Sequence, residues 1–275
     1  MWTLSGFSDE ISEDFEEQCR FVAELGLGFI EFRSAWGTNV LDLSEEQLTL
    51  AQEILAKHGL QVSSIGSPIG KIGIHDDFAP HLDRARHAVE VARRLEARFI
   101  RVFSFFIPEE ENADDHRDEV LRRMGELAKV AEAGDVVMIH ENEKLIFGDQ
   151  PRRCLDIIES VGSAHLRSTW DAANFVQVGV KPLSEAYGLL RPHVEYVQIK
   201  DAVLATGEVV PAGRGDGDMV ETLKAFKADG FDGFFSLEPH LSVAHHLGGF
   251  SGPDLFKEAF DAFTALLREL DIEYR

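Results

Sequence analysis

Two kinds of apolar pattern alternate along the chain. Short runs rich in β-branched and aromatic residues lie at 3–7 (TLSGF), 29–32 (FIEF), 61–65 (QVSSI), 99–103 (FIRVF), 136–140 (VVMIH), 166–169 (LRST), 196–199 (YVQI) and 234–237 (FFSL). Their length and composition predict buried strands. Apolar residues recur at helical spacing in eight further segments. One follows Ser12, one opens at Ser44, and the others cover 80–95, 117–133, 151–161, 183–190, 218–229 and 254–269. Glu13 and Asp14 suit a helix N-terminus, and Ser44 with Gln47 three residues on is a capping-box signature. Gly26, Gly59, Gly134 and Gly230 lie at helix-to-strand joints, where a left-handed residue is favoured.

Eight strand–helix units predict an α/β fold, a (β/α)8 TIM barrel forming a single domain over residues 1–275. The alternative is a doubly wound open sheet, which wants a glycine-rich turn after its first strand. Here that strand is followed by SDEIS. The late stretch GRGDGD (213–218) lacks the G-x-G-x-x-G spacing and would turn Asp216 and Asp218 toward an anion, so it reads as a surface loop.

Barrel active sites lie at the C-terminal strand ends. The first four strands end in FSDE, FRSAWG, SIGSPIG and FSFFIP, mainly aromatic or small residues. The last four end in IHENE, TWDAANF, QIKDA and SLEPH. Alternation puts Val137, Ile139 and Glu141 on one inward face, then Thr169 with Asp171, then Tyr196, Gln198 and Lys200, then Phe234, Ser236 and Glu238. Glu141, Asp171, Gln198 and Glu238 therefore converge at the mouth. Three carboxylates so placed repel one another, and a divalent cation is the usual resolution. All-oxygen donors suit Mn²⁺ or Mg²⁺, with Zn²⁺ or Co²⁺ as alternatives.

Around this cluster, Trp36 and Phe105 are the expected apolar contacts for a sugar face, and Phe103 is assigned to the core. Arg33 and Arg214 are the arginines whose loops reach the mouth. So sparse a basic set favours an unphosphorylated sugar, keto-sugar or inositol derivative. Lys200 either hydrogen-bonds a substrate oxygen or pairs with an acid. Asp201 points outward as a structural cap. His140 and His240 are out of phase with the neighbouring glutamates, and His58 and His165 fall at the other end of the barrel.

The motifs HENE, WDAANF, VQIKDA, PAGRGD and SLEPH, in this order, resemble the xylose isomerase-like TIM-barrel family, which includes ketose 3-epimerases, inosose dehydratases and endonuclease IV repair nucleases. The resemblance implies metal ligands at Glu141, Asp171, Gln198 and Glu238, with Glu141 and Glu238 also the catalytic acid–base pair. Lys200, Asn174, Trp36, Phe105, Arg214 and His240 are the candidate substrate contacts. Gln198 stands where the family mostly has His, and Asn174 stands at the His position of D-x-x-H. The implied activity is isomerisation or epimerisation of a small carbohydrate through proton abstraction beside a metal-polarised carbonyl. Two further readings are a dehydratase or keto-sugar lyase using the same enediolate chemistry, and a sugar-binding barrel without catalysis.

Charge narrows the partners. With 49 acidic against 27 basic residues and a net charge of −22, the surface repels nucleic acid and anionic membranes. A repair nuclease would also want histidines on the early strands, and FRSAWG and SIGSPIG supply none. Cys19 and Cys154, far apart in helical patterns, read as free thiols. The N-terminus shows no signal-peptide pattern, and no apolar run reaches the ~20 residues of a membrane span. The expectation is a soluble cytoplasmic protein. The sequence leaves a homo-oligomer open.

Overall fold

The computed structural model describes residues 1–241 and 251–275. Among the described residues, eight strands form the main sheet: β1 (Thr3–Gly6), β2 (Phe29–Phe32), β3 (Gln61–Ile65), β4 (Phe99–Val102), β5 (Val137–Glu141), β6 (Leu166–Asp171), β7 (Val194–Ile199) and β8 (Phe234–Leu237). Each pairs in parallel with its sequence neighbour from β2 to β8, and β8 pairs with β1. A parallel bridge between Phe7 and Glu31 joins β1 to β2 and nearly closes the barrel. The helices α1 (Phe15–Glu24), α2 (Glu45–His58), α3 (Phe78–Arg94), α4 (Arg117–Gly134), α5 (Pro151–Val161), α6 (Ala172–Gln177), α7 (Gly188–Leu190), α8 (Met219–Ala228) and α9 (Gly252–Glu269) follow the strands in turn. The fold is the single-domain (β/α)8 barrel that the alternating pattern predicts.

Local chemistry accounts for most helix ends. Ser44 and Gln47 form the expected capping box on α2. Asp14, rather than Ser12, caps α1 by accepting the Glu17 N–H. Gly26, Gly59 and Gly230 have positive φ, as read from the sequence. Gly134 does not. It ends α4, Asp135 takes the left-handed position, and a Cβ at Gly134 would lie 2.1 Å from Val89 Cγ1. Close packing of α4 on α3 is what that glycine serves. The segment read as one helix at 183–190 is a π-helical turn, Pro182–Tyr187, running into α7.

Alternation inside the barrel is as expected. Phe99, Val137, Ile139 and Tyr196 form a separate interior cluster, with Phe234 packed against it. Tyr196 sets its ring 5.8 Å from that of Phe99, and its hydroxyl lies 2.8 Å from Ser63 Oγ. Above this plug the inward positions turn polar. Register places Asp171 opposite Gln198, Gln198 opposite Ser236, and Glu141 opposite Thr169. The apolar layer is thus a floor on which the polar strand ends stand. Among the described residues, no helix is long and apolar enough to cross a membrane.

Candidate metal centre

Glu141, Asp171 and Glu238 each present an oxygen, and the three oxygens lie within 4.8 Å of one another. All three side chains are buried. Strand register aims Asp171, and its Oδ1 also accepts the Asn174 N–H that opens α6, so one carboxylate both caps a helix and faces the mouth. Asn174 Nδ2 donates to Glu141 Oε1 at 2.9 Å and to the Asn142 carbonyl at 2.8 Å, which fixes the Glu141 carboxylate. Gln198 is fully buried, with Nε2 3.4 Å from Glu31 Oε1.

Lys200 spans the cluster, with Nζ 2.9 Å from Asp171 Oδ2 and 2.5 Å from Glu238 Oε2. Pairing with acids, one of its two sequence readings, is present in the structure. Arg101 Nη1 lies 3.3 Å from Glu141 Oε2 and 3.7 Å from Glu238 Oε1. Arg33 binds Asp9 at 2.7 Å and reaches Glu238 at 3.4 Å, and both guanidinium groups lie over the Phe7 ring. Among the described residues around the mouth, five buried carboxylates (Glu10, Glu31, Glu141, Asp171, Glu238) face three buried cations (Arg33, Arg101, Lys200).

The acids answer this imbalance with protons. Burial pushes Asp171 up to about 7 against the pull of Lys200, with Glu141 and Glu238 adding repulsion. Burial likewise takes Glu31 to about 7 and Glu10 to about 8, opposed by Arg101 and Arg33 respectively. Glu141 is also raised, by burial and by Glu238 against Arg101. Glu238 goes the other way. Burial would raise it, but Lys200, His240, Arg101 and Arg33 outweigh burial and hold it below the usual carboxylate range.

Gln198 Oε1 is buried without a hydrogen-bond donor, while Glu141 Oε2 and Asp171 Oδ2 have only the ion-pair contacts with Arg101 and Lys200. A buried acceptor with no donor is costly unless something positive completes it. Three carboxylate oxygens and an amide oxygen, carrying surplus negative charge, are a donor set that fits a hard divalent cation.

The other expected site residues fall differently. His240 Nε2 lies 3.5 Å from Glu238 Oε1 and 3.4 Å from Glu10 Oε1. Trp36 is half-buried at the tip of a short hairpin (Ser34–Ala35 with Thr38–Asn39), its ring 5.6 Å from Phe15. Phe105 does not reach the mouth. It lies past the end of β4 at Val102, in a left-handed backbone, so strand alternation does not orient it, and its ring packs on Phe78 of α3 and Arg123 of α4. Arg214 also stays outside, exposed and paired with Glu258 of α9.

Asp201 explains why. It is fully buried and accepts backbone N–H groups from Ala202, Gly213, Gly215 and Gly217. A Cβ on Gly215 or Gly217 would lie 2.5 or 2.6 Å from Asp201 Oδ1. The GRGDGD stretch is therefore a glycine cradle for this carboxylate, and Arg214 projects from its outer side. Reading only strand ends missed Glu31, Arg101 and Glu10. Alternation carried along FIEF and FIRVF would have found the first two, since Glu31 and Arg101 fall on inward positions. Glu10 lies beyond its strand and carried no such signal.

A family model described as xylose isomerase-like TIM barrel matches residues 19–268. No curated protein sequence matches the chain. Among solved structures, a D-tagatose 3-epimerase-like protein superposes with a TM-score of 0.80 at 17% identity, covering 98% of each chain. The probable 3-DHS dehydratase AsbF from Bacillus anthracis gives 0.75 at 18% identity, covering 96% of this chain and 98% of that one. An IOLI protein with a bound zinc atom gives 0.76 at 15% identity, covering 97% and 98%. At these identities the structures speak for the fold alone, whereas the family model spans most of the sequence. The chain belongs to the xylose isomerase-like TIM-barrel family.

Proposed function

We propose that this protein is a divalent-metal-dependent isomerase or epimerase acting on an unphosphorylated sugar, keto-sugar or inositol derivative. The observation that carries the reading is the grouping of Glu141, Asp171 and Glu238 oxygens within 4.8 Å, with Gln198, whose amide oxygen lacks a donor, in register with Asp171 on the neighbouring strand. These four residues would hold the ion, Mn²⁺ or Mg²⁺ by their hardness. When bound, it would polarise a substrate carbonyl and acidify the adjacent C–H.

The chain's own groups suit the proton transfer. Paired acids whose environments drive their pKa values apart divide the roles of base and acid. Glu238, held ionised by Lys200 and the two arginines, is the group ready to accept the proton. Glu141, which burial raises in the metal-free protein, is the partner that would return one. Asn174 holds the Glu141 carboxylate in place, and Lys200 fixes that of Glu238. The dehydratase or lyase alternative shares the first step but needs an acid for the leaving group. His240 is the group nearest Glu238 that could serve. Burial pushes it down to about 3 despite the opposing pull of Glu238, so it is a neutral imidazole and a poor proton source. This favours isomerisation or epimerisation.

The test is solvent exchange. Protein loaded with Mn²⁺ or Mg²⁺ is incubated in D₂O with ketoses, inososes and 3-keto-sugars and followed by NMR. Deuterium at a carbon next to the carbonyl, without loss of water, supports the proposal. An enone product transfers it to the lyase reading. No exchange with any substrate would sink both.

A further inference from the structure

A second group of metal-ligating side chains stands apart from the strand-end cluster, on loops that the proposed chemistry does not use. His75 lies in the loop from β3 to α3, and Glu111 and His116 lie in the loop from β4 to α4. His75 Nε2 is 3.0 Å from Glu111 Oε2 and 3.1 Å from Oε1, and His116 Nε2 is 2.5 Å from Oε2. The two imidazole rings meet edge to face at 5.2 Å. One ligand atom from each residue falls within 4.8 Å of the other two. We propose that His75, Glu111 and His116 form a zinc-type site at the rim of the barrel, stapling the β3–α3 loop to the β4–α4 loop.

Two imidazoles and one carboxylate are a borderline donor set that suits Zn²⁺, in contrast to the all-oxygen set at the centre. Zinc bonds of about 2.0–2.1 Å in a tetrahedron place ligand atoms about 3.3 Å apart. The two histidine-to-carboxylate separations lie below that spacing by less than 1 Å, within the reach of rotamer adjustment in side chains as exposed as His75 and Glu111. An ionised carboxylate only accepts, so each Nε2 now brings a proton to Glu111. A dication takes the place of those protons.

The backbone presenting these ligands is firmly tied. Ile74 N–H donates to the Phe106 carbonyl, Phe106 N–H donates to the Ile72 carbonyl, and Gly73 bridges Phe106. His116 ends a 3-10 turn, Ala113–His116, whose N-cap Asn112 accepts the Asp114 N–H. Glu109, Glu110 and Asp115 add negative charge in the same loop. Three protein ligands leave a fourth tetrahedral position to water. The site is therefore a clamp on two mouth-forming loops, independent of the residues proposed for proton transfer.

The experiment is a Zn²⁺ titration of chelator-stripped protein against a chromophoric competitor, for the wild type, the double variant His75→Ala/His116→Ala, and Glu111→Gln. The double variant should lose one equivalent of zinc, and Glu111→Gln should weaken that equivalent by about tenfold, or 1.4 kcal/mol. Circular dichroism would show both variants folded, and Mn²⁺ binding, read separately, should match wild type. Zn²⁺ should raise the melting temperature of the wild type more than that of the double variant. Co²⁺ should give a tetrahedral visible band with the wild type that is lost with the double variant. Equal zinc stoichiometry and affinity in wild type and double variant would overturn the proposal. So would zinc binding that vanishes with Asp171→Asn alone. Loss of Mn²⁺ binding would instead count against the central site.

Discussion

Lys200 offers the sharpest perturbation of the strand-end cluster. Its ammonium, 4% exposed, is the cation that bridges Asp171 and Glu238. Lys200→Met keeps the length of the stem and removes the charge, leaving two buried carboxylates without their shared partner. Breaking a buried ion pair from one side costs about 3–5 kcal/mol. For 275 residues at about 2.1 cal/mol/K each, the unfolding entropy is about 0.58 kcal/mol/K, or about 1.7 °C per kcal/mol. The melting temperature in chelator should therefore fall by about 5–9 °C. Manganese should repair part of this. An ion at 100 times its Kd contributes about 2.7 kcal/mol to any folded state that binds it. Lys200 also competes with an ion for Asp171 Oδ2 and Glu238 Oε2, so the variant should bind more tightly than wild type and gain a larger thermal shift. Differential scanning fluorimetry with and without Mn²⁺ reads both effects. An unchanged melting temperature in chelator, or a metal-induced shift no larger than in wild type, would refute the reasoning.

Three further outcomes are expected. Asp201→Ala leaves four backbone donors unmet, and at about 1 kcal/mol per bond the urea midpoint should reflect a loss of about 4 kcal/mol, with Asp201→Asn losing less. Gln198→His adds a softer donor, so competition assays should show the Zn²⁺-to-Mn²⁺ affinity ratio rising about tenfold or more, and an unchanged ratio would argue against ligation at 198. Metal-stripped protein should lose stability as pH rises from about 6.5 to 8. Asp171, Glu31 and Glu10 are raised to about 7, 7 and 8, so over that window the folded state keeps protons the unfolded chain has released. Glu238, lowered, contributes with the opposite sign, and its part is complete above pH 4.5. His81, His140 and His240, lowered to about 4, 3 and 3 by burial, also contribute with the opposite sign, and their part is complete above about pH 6.5. Urea midpoints should fall between pH 6.5 and 8 and flatten with Mn²⁺. A rising midpoint would contradict the assigned protonation.

The barrel was legible because buried strands and amphipathic helices alternate without interruption, and because inward positions repeat every second residue. Convergence of Glu141, Asp171 and Glu238 followed from that period alone. What escaped the sequence had physical reasons. β4 ends at Val102, and Phe105 beyond it adopts a left-handed backbone, so the alternation that would have turned it inward no longer applies. Arg214 looked like a mouth residue until its loop proved to be wrapped around Asp201. Arg101 and Glu31 sit inside apolar runs, where a charge reads as an interruption rather than as a wall of the site. Glu10 joins the mouth only through tertiary contacts, bonded to His240 N–H and Ser251 Oγ from a distant part of the chain.

Whether the strand-end oxygens hold a divalent ion is best decided by counting Mn²⁺. Free aqueous Mn²⁺ gives a sharp electron paramagnetic resonance spectrum that broadens on binding, so a titration of chelator-stripped protein reports stoichiometry and Kd together. One tight equivalent in the wild type, weakened at least about a hundredfold (about 2.7 kcal/mol) in Asp171→Asn and untouched by His75→Ala/His116→Ala, is the predicted result. No bound Mn²⁺, or an equivalent indifferent to Asp171, would contradict a metal centre at the mouth of this barrel.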